Sequence, residues 1–445
     1  MASGSALNLA ADRYLANIGW HTASTLASRA LEPIFMLALA RILGPGDFGL
    51  YALLVSLRAL FGVFKDLGLS ASIIVDREQT DQRDVQLGLQ LVTATLFSIA
   101  VLLTAPWLGT WFGMETLSDL APWLCVTFFL SAFEDVQVTY FRKLNAYRLL
   151  FWRHLIPALG FGITAVVLAM ADFGVLALVL GHITGQALNV AYLLWRSGRL
   201  PRPALCWRRI GKLMRLGKHV TAQTFLGYLV LQADAMVVGR FLPVAALGIY
   251  RMAHQIAFLL PNALIFQIKE VLFTDAAASV DTPGHLHRRY QQYVLYLLPV
   301  SVGYAVSLYW LAPWAVLLAL GDQWLALVEP LRLMVLTVVS SHLVAANGEF
   351  GRILGIAAHY TVFSAVRSML TILAVALGAS VSLEALLVAW VGMTILSNYA
   401  NCLVFIAGQD RVKVHPVVHA IFLGVLGLFA YLSWQLIVSG IDAGY

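Results

Sequence analysis

Residues 39–69 read LARILGPGDFGLYALLVSLRALFGVFKDLGL. The stretch holds the end of one apolar segment, a tight turn at Gly44-Pro45-Gly46, and a second long apolar segment that encloses Arg58. A weaker copy, GRFLPVAALGIYRMAHQIAFLLPNALIF, starts at Gly239. Arg41 aligns with Arg240, and Phe48-Gly49-Leu50-Tyr51 with Leu247-Gly248-Ile249-Tyr250, at an offset of about 199 residues, the mark of an internal repeat. Two such halves, each mostly apolar, do not make an ordinary soluble enzyme.

The whole chain agrees. Its 445 residues are 60% hydrophobic and only 12% charged, whereas a soluble domain is about 25% charged. Mean hydropathy is +0.81. Apolar runs long enough for a membrane helix recur from end to end, and the short alternating segments of a transmembrane barrel are missing. The first residues, MASGSALNLAADR, lack the basic flank and apolar core of a signal peptide, so the first span is expected to serve as an uncleaved insertion signal. The expected fold is an all-α polytopic membrane protein of about 13 spans, with span 1 near 15–40, span 2 near 46–75 and span 13 near 416–439.

Orientation follows from loop Lys and Arg. Arg77, Arg83, Arg142, Lys143, Arg148, Arg288, Arg289, Arg352, Arg411 and Lys413 fall in even-numbered loops, with the basic stretch Arg196–Lys218. The N-terminus and the even loops are therefore expected in the cytoplasm. Trp107, Trp111, Trp123, Trp310, Trp314 and Trp324 flank two loops on the opposite side, as an interfacial belt would. Ala105-Pro106-Trp107 also matches Ala312-Pro313-Trp314, extending the repeat.

The expected organisation is an N-terminal six-helix lobe over 1–195 and a basic cytoplasmic linker over 196–218. A C-terminal six-helix lobe covers 219–407, and 408–445 adds one more helix and a short tail. Six spans per half give both halves one orientation and a pseudo-two-fold along the membrane normal. The linker is read as a topology signal on anionic headgroups, with Ile210, Leu213, Met214 and Leu216 of an amphipathic helix toward lipid. The net charge of +6 is explained by that linker and is no sign of nucleic acid. Cys125, Cys206 and Cys402 lie far apart, without metal-ligand spacing, and read as packing residues.

Charge inside a membrane is costly, so it marks partners or cavities. Arg29 and Glu32 share a face of span 1, Arg58 lies within span 2, Asp234 in span 7, and Arg251 and His254 share a face of span 8. Lys65-Asp66 and Lys269-Glu270 are read as reaching the headgroups, and Glu134-Asp135 as solvated near a span end. Arg29, Arg58 and Arg251 are the incompletely neutralised cations, on the first two spans of each half. A cationic interior suits an anionic substrate, and arginine suits phosphate through paired hydrogen bonds. Neither a P-loop, GxSxG nor HExxH is present, so no cofactor, metal or catalytic residue is expected.

With those residues in view, ARILGPGDFGLYALLVSLRALFGVFKDLGLSASII closely resembles the N-terminal signature of the polysaccharide transporter family. These are the Wzx-type lipid-linked oligosaccharide flippases of the multidrug/oligosaccharidyl-lipid/polysaccharide exporter superfamily. The Leu43-Gly44-Pro45 turn, the Phe48–Tyr51 run, Asp66-Leu67-Gly68-Leu69 and Gly321-Asp322-Gln323-Trp324 carry the likeness. It implies two six-helix lobes that open alternately. The implied cargo is an undecaprenyl-pyrophosphate-linked oligosaccharide, moved to the outer leaflet of the bacterial inner membrane. Polymerase and chain-length proteins of the pathway are the implied partners. On this reading Arg29, Arg58, Arg251 and His254 hold the pyrophosphate, and Glu32 or Asp234 couples an ion. Thirteen spans depart from the family's usual 12 or 14: either the last is an unpaired helix or the chain has 12 or 14 spans. A drug/cation antiporter of the same superfamily would prefer carboxylates in its cavity. A polymerase or ligase would need a large external loop, which the chain lacks.

Overall fold

The computed structural model describes residues 31, 33–75, 82–144, 146–277, 285–353, 357–407 and 416–442. Regular structure among these residues is helical throughout. The described part of the first helix is α1, Pro33–Ile42. There follow α2 (Pro45–Lys65), α3 (Leu69–Val75), α4 (Arg83–Phe112), α5 (Glu115–Leu120), α6 (Trp123–Lys143), α7 (Tyr147–Met170) and α8 (Val175–Ser197). Then come α9 (Trp207–Phe241), α10 (Val244–Ala277), α11 (His285–Ala319), a 3-10 turn (Asp322–Leu327), α12 (Val328–Ile353), α13 (Ala357–Ala379), α14 (Leu383–Ala407) and α15 (Pro416–Asp442).

Among the described residues, nine helices are long and apolar enough to cross a membrane. Leu103, Met170, Leu318 and Met369 turn outward, 72% to 75% exposed. Such faces fit hydrocarbon rather than water. The protein is a multi-pass helical membrane protein.

Two compact units divide the chain, Met1–Gln232 and Ala233–Tyr445. Their boundary falls within α9. The basic stretch expected as a linker is not wholly a loop: from Trp207 onward it is the start of α9. Ile210, expected toward lipid, is 2% exposed and packs with Leu69, Ile73, Val85 and Leu89, with Met214 against the same cluster. Burying these two side chains tethers the start of α9 to the first unit.

The opening turn of the first unit is built by its residues. Pro45 occupies the first turn of α2, where its missing N–H costs nothing. The Asp47 carboxylate accepts from the Gly44 N–H at 3.3 Å. The second span, read as continuous, breaks after Lys65. Leu67 and Gly68 take φ of +47° and +72°, and α3 restarts the helix at Leu69. The Asp66 carboxylate covers the restart, accepting from Ser70 N at 2.9 Å and Ser70 Oγ at 2.8 Å.

Within this unit α7 runs along α8, α4 packs on α6, and α6 and α2 meet α8. The α7–α8 approach is close because Gly185 faces α7: a Cβ there would stand 2.5 Å from the Pro157 carbonyl oxygen. Small residues at such crossings let backbones meet where lipid supplies no hydrophobic drive.

In the second unit α12 is central, packed by α10, α11 and α14, with α13 on α14 and α15 against α14 and α12. The repeat is visible inside each unit. Pro243 precedes α10 as Pro45 opens α2, and Pro106 and Pro313 both lie inside helices, α4 and α11. Trp107, Trp111, Trp310 and Trp314 are exposed, as an interfacial belt requires, but Trp324 is fully buried at the 3-10 turn.

Candidate functional site

Arg29 and Glu32 lie outside the described residues. Arg58 sits about 13 residues into α2, roughly 20 Å along it. No acidic partner reaches its guanidinium among the described residues, and its Nε is buried without a hydrogen bond. It lines a small pocket with Tyr51, Trp123, Thr127 and His182, drawn from the middle of α2 and the N-terminal parts of α6 and α8. The His182 Nε2 is likewise buried without a hydrogen-bond partner. Two ring or guanidinium nitrogens thus face one pocket with unmet hydrogen-bonding capacity. His182 went unnoticed in the sequence, where the histidines look scattered. Its signal was a polar residue in the middle of an apolar span.

The other expected charges are paired. Arg251 lies 3.5 Å from Asp234 across α9 and α10, so the arginine is not an unneutralised cation. Tyr250, fully buried, donates to the same carboxylate at 2.9 Å. The His254 ring stacks on Phe258 at 4.8 Å and meets the Trp390 edge at 5.6 Å. An expected phosphate-binding residue and an expected ion-coupling residue are therefore each other's partners.

Lys65 and Asp135, read as lying in headgroups and solvent, form a 2.6 Å ion pair between α2 and α6. Glu134 is also engaged, facing Arg153 of α7 at 3.5 Å. The Lys269 and Glu270 side chains lie outside what the structure describes. The first unit thus carries a polar layer through its interior. Gln90 donates to Asp66 at 2.9 Å, and Gln86 joins Ser70 and Thr139 at 3.0 and 3.2 Å.

A profile for polysaccharide biosynthesis proteins matches residues 38–329, more than half of the chain. The chain belongs to this family. Its sequence is 23% identical over 313 residues to the succinoglycan biosynthesis transport protein ExoT of Rhizobium meliloti (strain 1021), covering 69% of this chain and 63% of that protein. It is 24% identical over 339 residues to the lipopolysaccharide biosynthesis protein WzxC of Escherichia coli (strain K12), covering 73% and 66%. The matches thus span just under two thirds of these relatives' length. In fold, the chain resembles the lipid II flippase MurJ in an inward closed conformation, with TM-score 0.73 and 13% identity over 94% of this chain and 92% of that one. It also resembles an inward-facing multidrug resistance MATE family transporter of the MOP superfamily, with TM-score 0.62 and 12% identity over 92% and 98%. The all-helical fold expected from the apolar runs and the repeat is the fold observed.

Proposed function

We propose that this family member is a flippase. It carries an undecaprenyl-pyrophosphate-linked oligosaccharide from the cytoplasmic to the outer leaflet by alternating access. The names of its relatives, transport proteins of exopolysaccharide and lipopolysaccharide synthesis, support the class of cargo. The observation that carries the reading is Arg58, an intramembrane guanidinium with no counter-charge among the described residues and a buried, unbonded Nε. A group left so has a large unmet demand for an anion, and a pyrophosphate supplies paired acceptor oxygens.

With the basic loops in the cytoplasm, α2, α6 and α8 all start at the outer face. The Trp123 and Thr127 wall of the pocket then lies toward that face, and Arg58, past the midpoint of α2, lies deeper in the membrane. Arg251 and Asp234 take a different role in this reading. Protonation of Asp234 releases Arg251, so the pair couples an ion to the change of state. Differential binding to the two states drives the cycle.

The test is polymer export in cells whose only copy of this transporter is Arg58→Ala or Arg58→Lys. Export falls at least tenfold in Arg58→Ala. Arg58→Lys recovers part of it, because an ammonium keeps the charge but not the paired hydrogen bonds. Normal export from both variants rejects Arg58 as the anion site. A reconstituted vesicle assay with a lipid-linked sugar then separates flipping from other roles: no transbilayer movement sinks the flippase reading.

A further inference from the structure

One cluster in the first unit is not used by the phosphate reading. Glu134 on α6 accepts from Asn189 Nδ2 at 3.0 Å and Gln186 Nε2 at 3.4 Å, both on α8. Arg153 on α7 points its Nε at the same carboxylate from 3.5 Å, and that Nε makes no hydrogen bond. The amide carbonyls of Gln186 and Asn189, residues 6% and 1% exposed, are buried with no partner among the described residues. Glu134 and Arg153 remain 18% and 21% exposed, so the cluster is not sealed.

We infer that Glu134, Arg153, Gln186 and Asn189 form a subsite for sugar hydroxyls, resting on the flippase reading above. The unmet demand here is of both kinds, two carbonyl acceptors and one guanidinium donor. A phosphate offers acceptors only, and Glu134 repels it, so this is not a second anion site. A bare cation would satisfy the carbonyls but meets the Arg153 charge. A hydroxyl gives a proton to a carbonyl and accepts one from a guanidinium at the same atom, so a pair of hydroxyls satisfies all three groups. Planar side chains from three helices are already oriented for this. The close α7–α8 approach at Gly185, one residue before Gln186, fixes the spacing between Arg153 and the two amides.

The test uses the full-length protein in lipid nanodiscs and two kinds of probe. One is undecaprenyl pyrophosphate without sugar. The other is the same carrier bearing a hexose, an N-acetylhexosamine or a uronic acid. Wild type binds at least one sugar-bearing carrier more tightly than the sugar-free one. Asn189→Leu and Gln186→Met lose that preference, about tenfold for the loss of one well-placed hydrogen-bond set, and keep their affinity for the sugar-free carrier. Arg58→Ala weakens both kinds of probe together. Thermal unfolding identifies any variant that does not fold, and Gln186→Met, matched in length, carries the comparison if Asn189→Leu fails. Equal weakening for both probes in a folded variant overturns the subsite, as does an unchanged preference. A wild type with no preference across the three sugars overturns it too, and leaves the flippase reading standing. Sodium-dependent binding abolished by these variants without change in sugar preference also overturns it, by assigning the cluster to a cation. Failure of wild type to bind any carrier instead counts against the flippase reading itself.

Discussion

The Lys65 ammonium lies 2.6 Å from the Asp135 carboxylate and joins the end of α2 to the middle of α6. The neighbouring residue, Glu134, faces Arg153 of α7, so two consecutive carboxylates of α6 hold two different helices. Lys65→Met strands Asp135 in a part-buried site. We expect a lower unfolding midpoint in detergent and recovery of most of the loss in the Lys65→Met/Asp135→Leu double variant. The coupling in a double-mutant cycle should be about 0.5–2 kcal/mol, the range for polar contacts between membrane helices. Additive losses would show that the pair is geometrically close but energetically idle.

The α7–α8 contact gives a prediction about shape alone. Gly185→Leu drives a side chain into the Pro157 carbonyl and the Phe161 backbone. The helices must separate, at about 1–3 kcal/mol or more. Gly62 on α2 has open space where a Cβ would stand. Gly62→Ala should therefore be neutral or raise stability by about 0.5–1 kcal/mol, since alanine loses less backbone entropy in a helix. Thermal midpoints of the two variants compare them directly, and equal midpoints would refute the close packing.

Most of the fold was legible because apolar runs, basic loops and the proline-turn repeat each follow from one physical rule, the expense of charge and bare backbone in lipid. The α2–α3 break was less so. Asp66-Leu67-Gly68 reads as a helix end, but the positive φ of Leu67 comes from the contacts that hold it. The site was legible only in part. Sequence spacing shows Arg251 and His254 on one face of α10, but Asp234 reaches Arg251 from α9, and pairing across helices has no local signature. Arg58 was found because it lacks a local partner. His182, Gln186 and Asn189 were missed because formal charge was the guide to intramembrane sites, and these three carry none at neutral pH.

The α2–α3 break predicts a cost for regular helix. Asp66→Ala removes the acceptor used by Ser70 N, Ser70 Oγ and Gln90 Nε2, and stranding buried donors costs about 1–3 kcal/mol. Gly68→Ala must hold φ +72° with a Cβ, at about 1 kcal/mol. Both should lower the unfolding midpoint, Asp66→Ala more. Hydrogen exchange over 66–75 should accelerate in both variants before the rest of the first unit does. Uniform acceleration across the unit would mean that the break does not act as a local joint.

In the second unit, Tyr250 and Arg251 meet one carboxylate from adjacent positions of α10, and the two contacts predict different losses. Tyr250→Phe removes a neutral donor at 2.9 Å and leaves the ion pair, costing about 1 kcal/mol. Asp234→Asn keeps the shape but removes the negative charge that faces Arg251 at 3.5 Å, so it costs more than Tyr250→Phe. Asp234→Ala/Arg251→Ala should recover stability relative to Asp234→Ala alone, because both members of the buried pair are then removed together. Transport separates a structural pair from a coupling pair. If Asp234 carries the coupling proton, Asp234→Asn loses the response of transport to the proton-motive force even where it folds, whereas Tyr250→Phe retains it. A response lost equally in both variants would make the carboxylate a packing element of α9 and α10, and the coupling group would have to be sought at Glu32.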